Sequence, residues 1–336
     1  MGNASLSRPE LLRRIQQLKP PQFERLALDV FLYQAAQNPV YRRYLELLGI
    51  SVAEVKTLAQ IPFLPISFFK THDLQTGVWS PEQVFSSSGT SGQTTSRHAL
   101  RDENFYRENA ARAFAHFYGP VEQYAVLALL PSYLERSGSS LVFMADDFIR
   151  RSVYPQSGFF LYDTDELRRQ LTDSLSKGQP TLLLGVSFAL LDLAEQYPMD
   201  LSGAIIMETG GMKGRRRELT RAELHQQLSQ AFQVPAIHSE YGMTELLSQA
   251  YSKGGGRFQP APTMRVFSRE ITDPLALQKA GRTGVLNIID LANLDTISFI
   301  GTDDLGCCYP DGSFEVLGRL DASDVRGCNL MVADVK

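Results

Sequence analysis

The chain has 336 residues, 43% of them hydrophobic and 21% charged, and a net charge of −4. That is a soluble, globular composition with ample chain for a large core; it excludes a global electrostatic footprint for nucleic acid or an anionic membrane. No apolar run reaches the ~18 residues of a spanning helix, and Met1–Leu6 has no apolar h-region, so no integral membrane segment or signal peptide is expected. The three cysteines are odd in number and form no Cys-x-x-Cys pair, so the expected location is a reducing cytoplasm rather than a disulfide-forming compartment.

Residues 8–50 read as helices. Leu11, Leu12, Ile15 and Leu18 recur at helical spacing, as do Phe31, Leu32, Ala35 and Ala36, with Pro20-Pro21 between the runs. The stretch Ile61–Lys70 holds two prolines and reads as an extended, apolar connector. Val84-Phe85 reads as the end of a strand. From 100 to 240 apolar runs alternate with helices: 102–117 helix, 124–130 strand, 165–175 helix, 181–186 strand, 188–197 helix, 204–207 strand, 217–232 helix, and a strand opening at Ala236-Ile237. Such alternation predicts an α/β fold with a mostly parallel sheet covered on both faces. Beyond 255, strands at 285–289, 296–300 and 313–317, with a hairpin signal at Asp311-Gly312, predict a smaller antiparallel β unit.

Ligands of open parallel sheets sit beyond the carboxyl ends of the strands. Three polar stretches fall at such ends. The first, Phe85–Arg97, has two glycines, eight hydroxyl side chains and no acid. Backbone amides in a glycine turn make an anion-binding nest, hydroxyls donate to phosphate oxygens, and Arg97 adds a fixed positive charge. The same composition also suits a flexible linker. The second stretch is 208–213, where Lys213 follows Gly210-Gly211 and a basic run, Arg215-Arg216-Arg217, adjoins the expected start of the 217–232 helix. Cations there oppose the helix dipole, and an anionic ligand would relieve the conflict. The third is 238–245. A tight turn at Gly242 gathers Tyr241, Thr244 and Glu245 around one point. Thr244 suits a phosphate, Glu245 a magnesium ion, Tyr241 a flat base, and His238 lies just before the turn. A capped surface turn is the plainer reading.

Further on, Thr302-Asp303-Asp304-Leu305-Gly306 reads as an acidic turn after a strand, suited to ribose hydroxyls or a metal, or simply solvated. Gly318-Arg319-Leu320-Asp321 offers an arginine able to reach phosphate, or a surface ion pair. The five histidines share no metal-ligand spacing. Cys328 stands on a glycine turn beside Arg326, which favours its thiolate.

Taken in order, Ser87–Gly92, Tyr241–Glu245, Thr302–Gly306 and Gly318–Asp321 resemble the motifs of the adenylate-forming superfamily of acyl-CoA synthetases and luciferases. Within it, Ile61–Lys70, Thr209-Gly210-Gly211, Thr302-Asp303-Asp304 and Gly327-Cys328 look most like the LuxE-type acyl-protein synthetases, with phenylacetate-CoA ligases the next relatives. The resemblance covers about residues 60–330. It implies the large N-terminal domain of these enzymes over 1–325 (lead-in 1–75, α/β core 76–250, small β unit 255–325), a stub at 326–336, and no small C-terminal domain.

By that likeness Ser88, Gly89, Thr90, Ser91 and Gly92, with Arg97, would grip the phosphates of ATP. Tyr241 and Gly242 would hold the adenine and His238 would adjoin it. Thr244 would meet the α-phosphate, Glu245 Mg²⁺, Asp304 the ribose, and Arg319 the nucleotide. Cys328 matches the acylated cysteine of the LuxE type. The implied activity is ATP-dependent activation of a carboxylic acid, expected to be fatty, with transfer of the acyl group to a protein thiol; an acyl reductase or carrier protein would be the acceptor partner. The superfamily's phosphate loop usually ends in Pro-Lys, whereas Gln93–Ser96 stands here with Arg97 the nearest cation; the superfamily's small C-terminal domain carries a lysine for adenylation, and Lys213 is the candidate for that lysine's work. Two other readings are a ligase delivering to coenzyme A, and a catalytically silent subunit that binds acyl chains or a partner.

Overall fold

The computed structural model describes residues 7–87, 95–131, 138–161, 163–210 and 219–320. The chain divides into two compact units, one drawn from Met1–Phe68, Leu74–Gly77 and Thr263–Lys336, the other from Phe69–Asp73 and Val78–Pro262.

The first unit begins with helices α1 (Arg8–Gln16), α2 (Phe23–Gln37) and α3 (Pro39–Leu47). The side chain of Asn38 caps α3 by accepting from the Tyr41 amide, and Pro39 fills the first helical position, where no N–H is needed. The buried stripe of α2 is Phe23, Leu26, Ala27, Val30, Phe31, Gln34 and Ala35. Leu32 and Ala36, expected on that face, are exposed, since each sits one residue, about 100° of helix rotation, past a member of the stripe. The proline-rich connector is extended at its start, but its last residues, Phe68–Lys70, are helical rather than extended. Leu64–Pro65 forms the short strand β1, and the single turn α4 (Phe68–Thr71) follows.

The second unit opens with a hairpin, β2 (Gln83–Ser86) and β3 (Arg97–Leu100). Then come α5 (Glu103–Tyr118), β4 (Ala125–Leu129), α6 (Ser140–Arg151), β5 (Gly158–Phe159), α7 (Thr164–Ser176), β6 (Thr181–Val186), α8 (Ser187–Gln196), β7 (Ala204–Thr209), α9 (Arg221–Phe232), β8 (His238–Tyr241), β9 (Ala250–Ser252) and β10 (Arg257–Pro260). Its large sheet runs β10-β9-β8-β7-β6-β4-β5. The strands from β5 to β8 are parallel, and β9 and β10 turn antiparallel. Every residue of β4 and β6 is buried, which is why both read as unbroken apolar runs. Helix α6 is amphipathic, burying Met144, Ala145 and Phe148, but the sequence reading did not foresee it. Helix α9 starts at Arg221 rather than 217, because Thr220 and Glu223 form a reciprocal capping box there. The basic run 215–217 therefore precedes the helix instead of occupying its first turn, and it lies outside the described residues.

The first unit closes with the antiparallel strands β11 (Met264–Arg269), β12 (Thr283–Asp290), β13 (Phe299–Cys308) and β14 (Phe314–Arg319), and β1 joins β13 in parallel. The expected hairpin at Asp311-Gly312 is present, with Gly312 at φ 82°. Thr302–Gly306 is not a turn but the middle of β13. Gly306 belongs inside the strand because a Cβ there would stand 2.2 Å from the Glu315 carbonyl oxygen on β14. The fold is thus α/β, a mostly parallel helix-covered sheet together with antiparallel strands.

Candidate active site

In the second unit, β7 and β8 end side by side, with Glu208 opposite Ser239 and Thr209 opposite Glu240. Successive strand residues face opposite ways, so the two glutamates lie on opposite faces of the sheet. On one face Glu208 is buried, with Ser187 Oγ at 3.1 Å, Arg221 Nε at 3.4 Å and His225 Nε2 at 3.5 Å. Burial works against its charge, yet the hydrogen bonds from His225 and Ser239 and the charge of Arg221 hold it below the ordinary carboxylate range. Ser187 Oγ also donates to the Gly210 carbonyl at 2.8 Å, fixing the exit of β7.

On the other face Glu240 is buried and accepts from Thr209 Oγ1. Burial, reinforced by the charge of Glu208, pushes it up to about 7 against the pull of that hydrogen bond. Its Oε1 lies over Gly242, where an added Cβ would come within 2.4 Å of it. A side chain at Gly242 would therefore displace the Glu240 carboxyl. Tyr251, opposite Glu240 on β9, and Gln249 are also buried on this side; among the described residues Tyr251 Oη and Gln249 Oε1 find no hydrogen-bond partner.

The turn itself is Tyr241 to Glu245. Tyr241 is buried against Phe258, with ring centroids 5.8 Å apart, while Gly242 is exposed and Thr244 half-buried. Glu245 is buried. The Leu246 amide donates back to the Met243 carbonyl, and Asn109 of α5 donates to the Leu247 carbonyl at 2.8 Å. His98 of β3 donates from Nδ1 to the Thr244 carbonyl, also at 2.8 Å. Burial pushes His98 down to about 4, so its ring is neutral at ordinary pH.

Arg97 ends the exposed side of β3, opposite Ser86. The loop stem below it is closed twice: the Ser87 amide donates to the Ser96 carbonyl at 3.1 Å, and the Ser96 amide to Ser87 Oγ at 2.9 Å. His238 stands at the beginning of β8, three residues before the turn. Its Nδ1 lies 3.1 Å from Tyr118 Oη, and burial and the charge of Lys253 push it down to about 4. In the first unit Asp304 and Arg319 face each other across β13 and β14, Nε to Oδ1 3.9 Å, with Asp304 largely covered and Arg319 largely exposed. Ser88, Gly89, Thr90, Ser91, Gly92, Lys213 and Cys328 lie outside the described residues.

Thus Arg97, Tyr241, Gly242, Thr244, Glu245 and His238 belong to one unit, and Asp304 and Arg319 to the other. Sequence reading passed over His98, Asn109 and Glu240. His98 is hidden by the strand after a polar loop, and Glu240 looks like any charge in a polar stretch until its neighbours are known.

No protein-family model and no curated protein matches the chain. Solved structures do. The chain is similar to 2-hydroxyisobutyryl-CoA ligase in the postadenylation state with R3-HIB-AMP, at TM-score 0.65 and 12% identity over 96% of this chain and 73% of that one. The open conformation of the same ligase, with 2-HIB-AMP and CoA, gives TM-score 0.63 and 14% identity over 94% and 70%. This is the fold of adenylate-forming enzymes. ATP-bound MatB from Rhodopseudomonas palustris is also similar, at TM-score 0.51 and 15% identity over 70% of this chain and 47% of that chain. The chain spans about half the length of the MatB structures it matches. No described helix is long and apolar enough to cross a membrane.

Proposed function

We propose that the chain activates a carboxylic acid with ATP and passes the acyl group to a thiol. In the first step a carboxylate oxygen attacks the α-phosphorus and pyrophosphate leaves, giving an acyl-adenylate. In the second a thiol sulfur attacks the acyl carbon, the thiol proton is lost to base, and AMP leaves. The observation that carries this reading is the turn Tyr241–Glu245, held at the carboxyl end of β8 in a fold shared with acyl-adenylate-forming ligases.

In this reading Tyr241 and Gly242 border the base and Thr244 reaches the α-phosphate. Ser88–Gly92 and Arg97 take the phosphate chain, and His238 supports the strand behind the turn. Asp304 bonds ribose hydroxyls, Arg319 adds a positive charge to the nucleotide, and Lys213 is the cation that aids adenylation. Among the described residues no group of three or more His, Cys, Asp or Glu converges. Glu245 is a single carboxyl, which fits Mg²⁺, an ion that keeps several waters and takes only one or two carboxylates. The ion would neutralise charge on the phosphates as pyrophosphate leaves.

The acceptor divides two readings. A protein thiol, Cys328 or a partner's cysteine, follows from the LuxE-type likeness, which also suggests a fatty acid; the odd number of cysteines, with no Cys-x-x-Cys pair, suggests a cytoplasmic setting. Coenzyme A follows from the 2-hydroxyisobutyryl-CoA ligase neighbours, two of which are complexes with CoA. Acid-dependent ATP–pyrophosphate exchange with Mg²⁺ and a panel of aliphatic, hydroxylated and aryl acids tests the first step. Exchange with one acid class supports adenylation; none with any acid, in folded protein, rejects it in favour of a silent binding subunit. Cys328→Ser then separates the acceptors, since CoA ligation survives it and self-acylation does not. Arg319→Ala is expected to raise the KM for ATP while leaving thermal stability unchanged, because its ion pair is long and its side chain exposed.

A further inference from the structure

The loop from Gly242 to Gln249 has no regular secondary structure, yet it carries the residues on which the proposed chemistry turns. Two buried side chains from other elements hold its carbonyls. Asn109 of α5 bonds Leu247, late in the loop. His98 of β3 bonds Thr244, at its middle. A carbonyl can only accept, so the Nδ1–H tautomer of His98 is the donor.

His98 is itself anchored. It pairs with Phe85 across the β2–β3 hairpin and meets the edge of Phe69 at 5.2 Å. Phe85 in turn packs on Tyr106 and Phe143 at 5.2 and 5.5 Å. The hairpin is therefore a rigid wall. Its stem, closed by Ser87 and Ser96, leads to the hydroxyl-rich stretch on one side, and the His98 ring reaches the Thr244 backbone on the other.

We propose that His98 is a positioning residue, which through its Nδ1–H bond to the Thr244 carbonyl fixes Thr244 against the stem of the β2–β3 hairpin. This rests on the adenylating role proposed above for what Thr244 does, but not for how His98 holds it. The side chain touches no substrate. Its effect is to keep Thr244 at one distance from the β2–β3 hairpin while the loop around it is free of helix or strand bonds. A displacement of about 1 Å at such a point costs roughly 100-fold in rate.

Three variants separate the hydrogen bond from the packing. His98→Asn keeps a donor where Nδ1 stood but gives up ring volume against Phe69. His98→Phe keeps the volume and loses the donor. His98→Ala loses both. Two readouts are taken on each variant after its thermal melt: ATP–pyrophosphate exchange with the best acid, and amide hydrogen–deuterium exchange over 243–247, which follows local opening.

The Phe and Ala variants are expected to lose roughly 100-fold in kcat with a smaller change in the KM for ATP, and to exchange their loop amides faster. The Asn variant is expected to stay within several-fold of wild type in both readouts although its melt is lowered. Loss of kcat in the Asn variant, or wild-type kcat in the Phe variant, overturns the proposal by assigning His98 to packing alone. If wild-type protein shows no pyrophosphate exchange, the functional reading fails and the amides decide alone: faster loop exchange in the Phe variant with protection in the Asn variant upholds the link, and unchanged loop amides in Phe overturn it.

Discussion

Glu240 loses nearly all contact with water and receives one hydroxyl in return. A carboxyl in that position keeps its proton to about pH 7, whereas in the unfolded chain it releases it near 4.5. Between those values the folded state binds the extra proton, so stability falls as pH rises through the window and levels above it. The slope is about 1.4 kcal/mol per pH unit, or about 2–4 kcal/mol in all. Glu208, on the opposite face of the same strand pair, has the contrary sign. Its carboxylate is favoured by folding, so its contribution is present above the unfolded value and lost on acidification below it. Glu240→Gln keeps an acceptor for Thr209 and removes the titration. Urea unfolding at pH 5 and pH 8 is expected to show that the wild-type decline is largely gone in the variant; an equal decline in both proteins would assign it to other groups.

At the scale of elements, Gln34 joins helix α2 to the connection between β12 and β13. Its Nε2 lies within 3.2 Å of the carbonyls of Asn293 and Leu294 and of Ser298 Oγ, and its Oε1 accepts from the Ser298 amide at 3.0 Å. All of this is buried, so an apolar replacement strands backbone groups away from water. The Asn293 carbonyl still accepts from the Thr296 amide, so Gln34→Leu takes the partner from two backbone groups, the Leu294 carbonyl and the Ser298 amide, and is expected to cost about 2–6 kcal/mol, at about 1–3 kcal/mol for each; chemical denaturation measures it. Helical spacing made α2 legible in the sequence, but its inner face is set by partners 260 residues away, which is why Leu32 and Ala36 were assigned to it and Gln34 was not. Strand β13 shows the same limit. Thr302–Gly306 has the composition of a turn, yet the strand runs through it because β12 and β14 pair with it on either side.

Over the whole molecule, alternating apolar runs made the parallel sheet legible, because strands buried on both faces carry no polar interruptions. The break after β8 was legible from its glycine, Gly242. The residues that hold that turn, His98 and Asn109, were not, since they reach it from elements about 140 positions earlier in the chain. Nor does local spacing reveal that α1–α3 belong with β11–β14: the first unit is assembled from both ends of the described chain and the second from its middle.

That interleaving has a consequence for the order of events during synthesis. About 195 residues separate Phe68 from Thr263, and at roughly 5–20 residues per second a ribosome takes about 10–40 s to make them. Through that interval α2 has left the ribosome with Phe23, Leu26, Val30 and Phe31 on one side and none of the strands that will cover them. In nascent chains stalled with 262 residues emerged, brief proteolysis is expected to cut within α1–α3 while sparing β4–β8; protection of both would mean the helices had found cover sooner. For those seconds the amino-terminal helices are an uncovered apolar surface of the kind chaperones bind.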